Sequence, residues 1–194
     1  MPVRYALAAL ILTASPALAQ DFPYLTRVEN GFEAQHTLRL RFEADESWRA
    51  AEPVDRAARF NDVPFEITLS AFLRPDAAIM VHAEHVADLS GASNYDRFPE
   101  TAWPTPGFRG EGLRCHDIPS DVVEGEHDLA WLRDNGFNPA GSMWIEQHFL
   151  SGNAYNDEIV ISLITRGASC DEADRPQARF DEMHAVLMAR PLSD

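Results

Sequence analysis

The chain contains no lysine: all 16 of its basic residues are arginine. Codon bias in a GC-rich genome accounts for that, and no function attaches to it. Basic residues of any kind are few beside the 31 Asp and Glu, which leaves a formal charge of −15. A chain so acidic repels phosphate backbones and anionic headgroups, so nucleic-acid binding and adhesion to a membrane surface are disfavoured. Beyond the N-terminal segment no stretch approaches the ~18 apolar residues of a membrane-spanning helix. Sequence motifs of catalysis are missing as well. There is no G-x-S-x-G elbow, no H-E-x-x-H, no phosphate-binding glycine loop and no paired C-x-x-C. The glycines of "NGFNPAGS" (135–142) do not make a phosphate cradle, since Pro139 interrupts them and no lysine follows.

What is present begins with the first 19 residues. Arg4 supplies a positive start, "ALAALIL" (6–12) is an apolar run of secretory length, and "SPALA" ends in the small-x-small pattern Ala17-Leu18-Ala19. That is a cleavable export signal, too short to remain as an anchor. No cysteine follows the cut, so a lipid anchor there is excluded. The expectation is an exported, soluble, periplasmic or secreted protein without membrane insertion. Residues 20–194, about 175 in number, suffice for one domain with an ample core.

The two cysteines, Cys115 and Cys170, meet oxidising conditions in an exported chain and are expected to form a structural disulfide. Closing a loop of that size stabilises by roughly 4 kcal/mol on the chain-entropy account. "GLRCH" (112–116) ends like a c-type haem attachment site, but Gly112 replaces the first cysteine.

Thr37–Phe42, "TLRLRF", alternates apolar and polar as a half-buried strand does. Residues 45–60 carry Pro53 among charges and read as a turn and a short helix. "FEITLSAFL" (65–73) is a strand, "RPDA" (74–77) a type I turn, and 78–86 the returning strand of a hairpin. Residues 91–112, rich in Pro and Gly, read as a long loop. Its aromatics Tyr95, Phe98, Trp103 and Phe108 suggest a binding loop or lid. Ser120 opens a helix to about residue 134. "MWIEQHFL" (143–150) and "EIVISLITR" (158–166) flank "SGNAYND" as a second hairpin, and 175–190 forms a closing helix. The expected class is therefore α+β, an antiparallel sheet of a first strand and two hairpins with helices packed on one face. That element order resembles the general plan of the Mog1/PsbP-like exported domains, a likeness of plan without a shared motif.

One stretch concentrates chemistry. "MVHAEHVAD" (80–88) places His82 and Glu84 on one face of a strand, and Glu146 and His148 share a face in the second hairpin. If the two strands are antiparallel neighbours with paired positions summing to 230, His82 opposes His148 and Glu84 opposes Glu146. Two imidazoles and two carboxylates then reach one ion, and that donor set suits zinc or copper. His116 and His127 are possible additional ligands. Two facing glutamates otherwise repel unless a cation or a proton intervenes.

Three readings follow, all for an exported protein. The leading one is a non-enzymatic binding or accessory protein that uses the sheet face and the 91–112 loop to engage another exported protein or a small ligand. The second is a transition-metal-binding protein with His82, Glu84, Glu146 and His148 as ligands. The third is a small hydrolase using a histidine–carboxylate pair, which requires a concave pocket.

Overall fold

Two runs, "FEITLSAFL" and "EIVISLITR", place apolar side chains at both odd and even positions, the pattern of strands covered on both faces. In the structure, a computed structural model that describes residues 23–192, both are central strands of a large sheet. The export signal read at 1–19 lies outside the described residues.

β1 (Leu25–Val28), β2 (Gly31–Ala34) and β3 (Leu40–Glu43) form a small antiparallel sheet. β4 (Arg49–Ala50) and β5 (Val54–Phe60) lie end to end along β6 (Val63–Leu73), which turns into β7 (Ala77–Val86). After β8 (Glu100–Thr101) and β9 (Phe108–Ile118), helices α1 (Ser120–Gly125) and α2 (His127–Asp134) lead to β10 (Gly141–Ser151) and β11 (Asp157–Arg166). Helix α3 (Gln177–Val186) precedes β12 (Met188–Pro191), which returns to pair with β3 in the small sheet. The large sheet is antiparallel throughout, in the order β4-β6-β7-β11-β10-β9-β8.

This corrects the α+β expectation. Strand accounts for 47% and helix for 16%, a curled eight-strand sheet with three short helices among the described residues. The plan likened to Mog1/PsbP domains goes with it. The error lies in residues 45–60 and 108–118. Pro53 only interrupts an edge strand, in the gap between β4 and β5, where a missing N–H leaves no ladder bond unmade. Asn61 and Asp62, both at positive φ (49° and 68°), make the two-residue turn of a β5–β6 hairpin. The helix expected over 120–134 breaks at Glu126, and the closing helix ends at Val186 so that Met188–Pro191 can extend. The hairpins at 74–76 and 152–156 form where the sequence puts them, the first closed by Arg74 N–H donating to the Ala77 carbonyl at 2.9 Å.

Each face of the large sheet has its own core. On one face Phe72, Ile79, Val81, Ile161 and Leu163 pack against Phe32 and Phe42 of the small sheet and Phe180 and Met183 of α3. On the other, Ile67, Leu69, Met80 and Ile164 pack beneath Leu132 of α2 and Phe137. Phe32 and Phe72, fully buried, meet across the two sheets with ring centroids 4.8 Å apart. β2 approaches β3 so closely that a Cβ at Gly31 would lie 1.8 Å from the Phe42 carbonyl oxygen, so only glycine fits.

The expected disulfide is present: Cys115 of β9 joins Cys170 across 55 residues of sequence. It ties the segment after β11 to the sheet, beside the Trp144 indole that donates to the Ser169 carbonyl at 3.0 Å. Replacing both cysteines by serine is expected to lower stability by about 4 kcal/mol, measured by urea unfolding. Unchanged stability would mean that the unfolded chain gains nothing from release of this loop.

Candidate functional site

The two histidine–glutamate pairs lie on different faces of the sheet. β11 inserts between β7 and β10, so those strands run parallel to each other and are not neighbours. His82 lies opposite Val160, which lies opposite Phe149; Glu146 lies opposite Leu163, which lies opposite Ile79. The register summing to 230 does not occur. His82 and Glu84 point toward α2, whereas Glu146 and His148 point toward α3 and the small sheet. The four residues proposed as one metal site thus divide into two sites. His116 is exposed on β9 and belongs to neither; His127 opens α2, with Nδ1 3.5 Å from Asp128 Oδ1.

The first site is a cavity of about 460 Å³ over β7 and β11. Arg56 and Phe60 of β5, Tyr95 and Arg97 of the 91–112 loop, and Asp128 of α2 wall it. On its floor His82 Nδ1 meets Glu84 Oε1 at 3.0 Å, which leaves His82 Nε2 aimed toward Asp128 Oδ2 at 4.0 Å. Arg56 donates to the same Asp128 oxygen at 2.8 Å. Glu84 also lies directly opposite Glu158 of β11, and the two are 5% and 2% exposed.

Two buried carboxyls side by side cannot both ionise cheaply. Burial, then the Glu84 charge, push the Glu158 carboxyl up to about 8, against the hydrogen bond that Tyr95 donates to it. The proton that two facing glutamates require is therefore present, although the pair is Glu84–Glu158 and not Glu84–Glu146. Burial opposes the imidazolium of His82, but the hydrogen bond and charge of Glu84, with the charge of Asp128, outweigh it and raise His82. Burial likewise works against ionised Asp128, and His82 and Arg56 overcome it and hold that carboxyl below its ordinary value.

Several buried polar atoms here have no hydrogen-bond partner: Arg56 Nε, His82 Nε2, Asp128 Oδ1 and Glu158 Oε2. They are four of the seven such side-chain atoms among the described residues, and all four residues line this one cavity. A second recess of about 280 Å³ shares Arg56, Phe60, His82 and Asp128 and continues beneath α2 between Leu129, Met143 and Ile164.

The aromatic loop contributes in part. Tyr95 lines the cavity and stacks on Phe149 at 4.2 Å, and Phe98 stacks behind it at 5.5 Å from the same ring. Trp103 instead covers the other site, and Phe108 is a fully buried residue of β9. Arg56, Asp128 and Glu158 escaped the sequence reading, because only the β5–β6–β7 and β7–β11 registers and the seat of α2 bring them to His82.

The second site lies on the opposite face. Glu146 Oε1 is 2.8 Å from His148 Nε2 and 3.2 Å from His184 Nε2. Among the described residues these three form a group that can hold a metal ion, with one ligand atom from each lying within 4.8 Å of the others. His184, on α3, had no signal in the sequence beyond its place on a helix whose Phe180 and Met183 face the core. No helix among the described residues is long and apolar enough to cross a membrane.

The Glu158 carboxyl gives a signed pH dependence. The folded protein keeps its proton up to about pH 8, whereas the unfolded chain releases it near 4.5. Folding takes up a proton between those values, so stability falls as pH rises across that window. Glu158→Gln is expected to flatten the fall and to be more stable than wild type above pH 8, read from thermal melts between pH 4 and 9. Parallel wild-type and variant curves would sink this assignment.

Comparison with known proteins finds no matching family model, no similar curated protein and no similar solved structure.

Proposed function

We propose that the chain is an exported protein that binds a small polar organic ligand in the cavity over β7 and β11. Four residues that line that cavity, Arg56, His82, Asp128 and Glu158, each hold a buried polar atom without a hydrogen-bond partner, and this carries the reading. A buried polar atom without a partner costs about 1–3 kcal/mol, and four at one place amount to a binding site awaiting its complement. Export is supported by the N-terminal signal and by the disulfide, which suits an oxidising compartment.

The ligand's chemistry follows from the atoms that would meet it. Arg56 Nε–H only donates and ionised Asp128 Oδ1 only accepts, while His82 and the Glu84–Glu158 pair do either according to where their protons sit. A ligand bearing both donors and acceptors, such as a hydroxyl, amide or amino-acid group, answers all four. The rings of Phe60, Tyr95 and Phe149 and the apolar recess under α2 favour an apolar body behind that polar head. The bound class is thus a small amphipathic molecule, not a bare inorganic ion.

A second reading rests on the His82–Glu84 pair. Glu84 holds Nδ1 and so orients Nε2 toward the cavity, the arrangement of a general base, and Glu158 beside it supplies a proton near neutral pH. No serine or cysteine lines that cavity, so a hydrolase built on it would activate water rather than form an acyl-enzyme.

The test is a ligand-observed NMR screen of hydroxy acids, amino acids, amides and sugars with apolar substituents, followed by titration of any hit. Binding is expected to perturb the resonances of His82 and Tyr95 and to weaken at least about tenfold in Arg56→Ala, the loss of one charge-assisted hydrogen bond. Hits that map elsewhere, or that bind Arg56→Ala as well as wild type, would overturn the assignment. Turnover of a hit, lost in Glu84→Gln while binding persists, would select the acid–base reading.

A further inference from the structure

On the face away from that cavity, the geometry points to a second site: Glu146, His148 and His184 bind one divalent late first-row metal ion, zinc or copper, beneath Trp103. Glu146 and His148 are two apart on β10 and project to the same face, and α3 lays His184 across them. Two ligands from a strand and one from a helix make a three-point donor set with a free side.

The spacing suits such an ion. Ligands held at about 2.05 Å around a tetrahedral zinc stand roughly 3.3 Å apart, and Glu146 Oε1 lies 2.8 and 3.2 Å from the two imidazole nitrogens. All three ligand atoms lie within 4.8 Å of one another. Two imidazoles and a carboxylate are the donor set of catalytic zinc and of copper sites, with one position left for water or substrate.

Two further observations support an ion here. Trp103 fixes both imidazoles: its ring stacks on His184 at 4.4 Å, meets His148 edge-on at 4.6 Å, and its indole N–H donates to the His184 carbonyl at 2.9 Å. Ligands locked in this way lose little freedom on binding. Finally, among the described residues the ionic partners of Glu146 are the two imidazoles, with no arginine paired to it.

Two imidazole nitrogens and one carboxylate suit a late first-row ion and not calcium, which takes oxygen ligands in larger number. The site is independent of the ligand cavity, being on the other side of the sheet, so either assignment stands if the other fails.

The test uses the untagged full chain, stripped of metal with chelator and titrated separately with Zn²⁺ and Cu²⁺. Near one equivalent of each is expected to bind, with affinity at least about tenfold weaker in Glu146→Gln and in His184→Gln and unchanged in His82→Ala. Electron paramagnetic resonance of the Cu²⁺-loaded wild type is expected to show coupling to two nitrogens, a readout that needs no variant. Absence of saturable binding to wild type, or binding that survives in both variants, would overturn the site and leave a hydrogen-bonded cluster with a structural role. A copper spectrum without two nitrogen ligands would overturn it too.

Discussion

Everything in this protein is arranged around the burial of β11. It lies between β7 and β10 and is covered on both faces, from Glu158 to Thr165. Its neighbours consequently carry apolar side chains in both directions, and the molecule needs a covering layer on each side. The small sheet and α3 supply one, and α2 with the curled β5 edge supplies the other. A polar residue in such a strand must find its partners inside the fold. Thr165 does so, donating to the Asp76 carbonyl at 2.8 Å, and Ser162 does so with Gln147 at 3.0 Å. Glu158 does so only in part, through Tyr95 and a proton shared with Glu84. An ionisable group left half satisfied in the most buried strand is where a fold departs from its own rules for the sake of a site.

The two sites share a construction. In each, a strand presents histidine and glutamate two residues apart on one face, 82 with 84 and 146 with 148, and the imidazole bonds its own strand's carboxylate. The helix packed on that face then adds one residue, Asp128 from α2 or His184 from α3. Strand pairs hold the two side chains parallel, and a helix seated by core residues, Leu132 or Phe180 and Met183, delivers the third with little freedom.

Local features of this arrangement were legible in the sequence. The turn at 74–76, the loop at 152–156 and the alternation around Leu40 and Phe42 depend on residues near one another. The Cys115–Cys170 bond was expected from the reading of residues 1–19 as an export signal. The strand order did not, because β7 and β11 are paired by residues about 80 apart and nothing in either run names its neighbour. The error propagated: with β10 assumed beside β7, Glu84 was set against Glu146 when its partner is Glu158. The strand at 54–60 was hidden because its edge position leaves Arg59 and Phe60 in solvent, so its apolar alternation is weak and its charges suggest a helix. The fold class was lost there and in the 108–118 strand, whose alternating burial is blurred by Gly110 and Gly112.

Similar pairs acquire different chemistry from their third partners. Beside His82–Glu84 stand Arg56, 2.8 Å from Asp128, and a protonated carboxyl. A dication placed there would meet a guanidinium and would have to expel a proton, so that cavity suits a ligand whose own donors and acceptors fit between charges already balanced. Beside Glu146–His148 the third residue is another imidazole, and among the described residues no arginine pairs with the carboxylate. The hydrogen bonds from His148 and His184 prevail over its burial and keep Glu146 ionised well below its ordinary value. A carboxylate held between two imidazoles suits a metal once those nitrogens give up their protons, and a His–Glu pair flanked by arginine does not. The decisive quantity is thus the local balance of charge around each pair, and that balance is set by which helix packs over it.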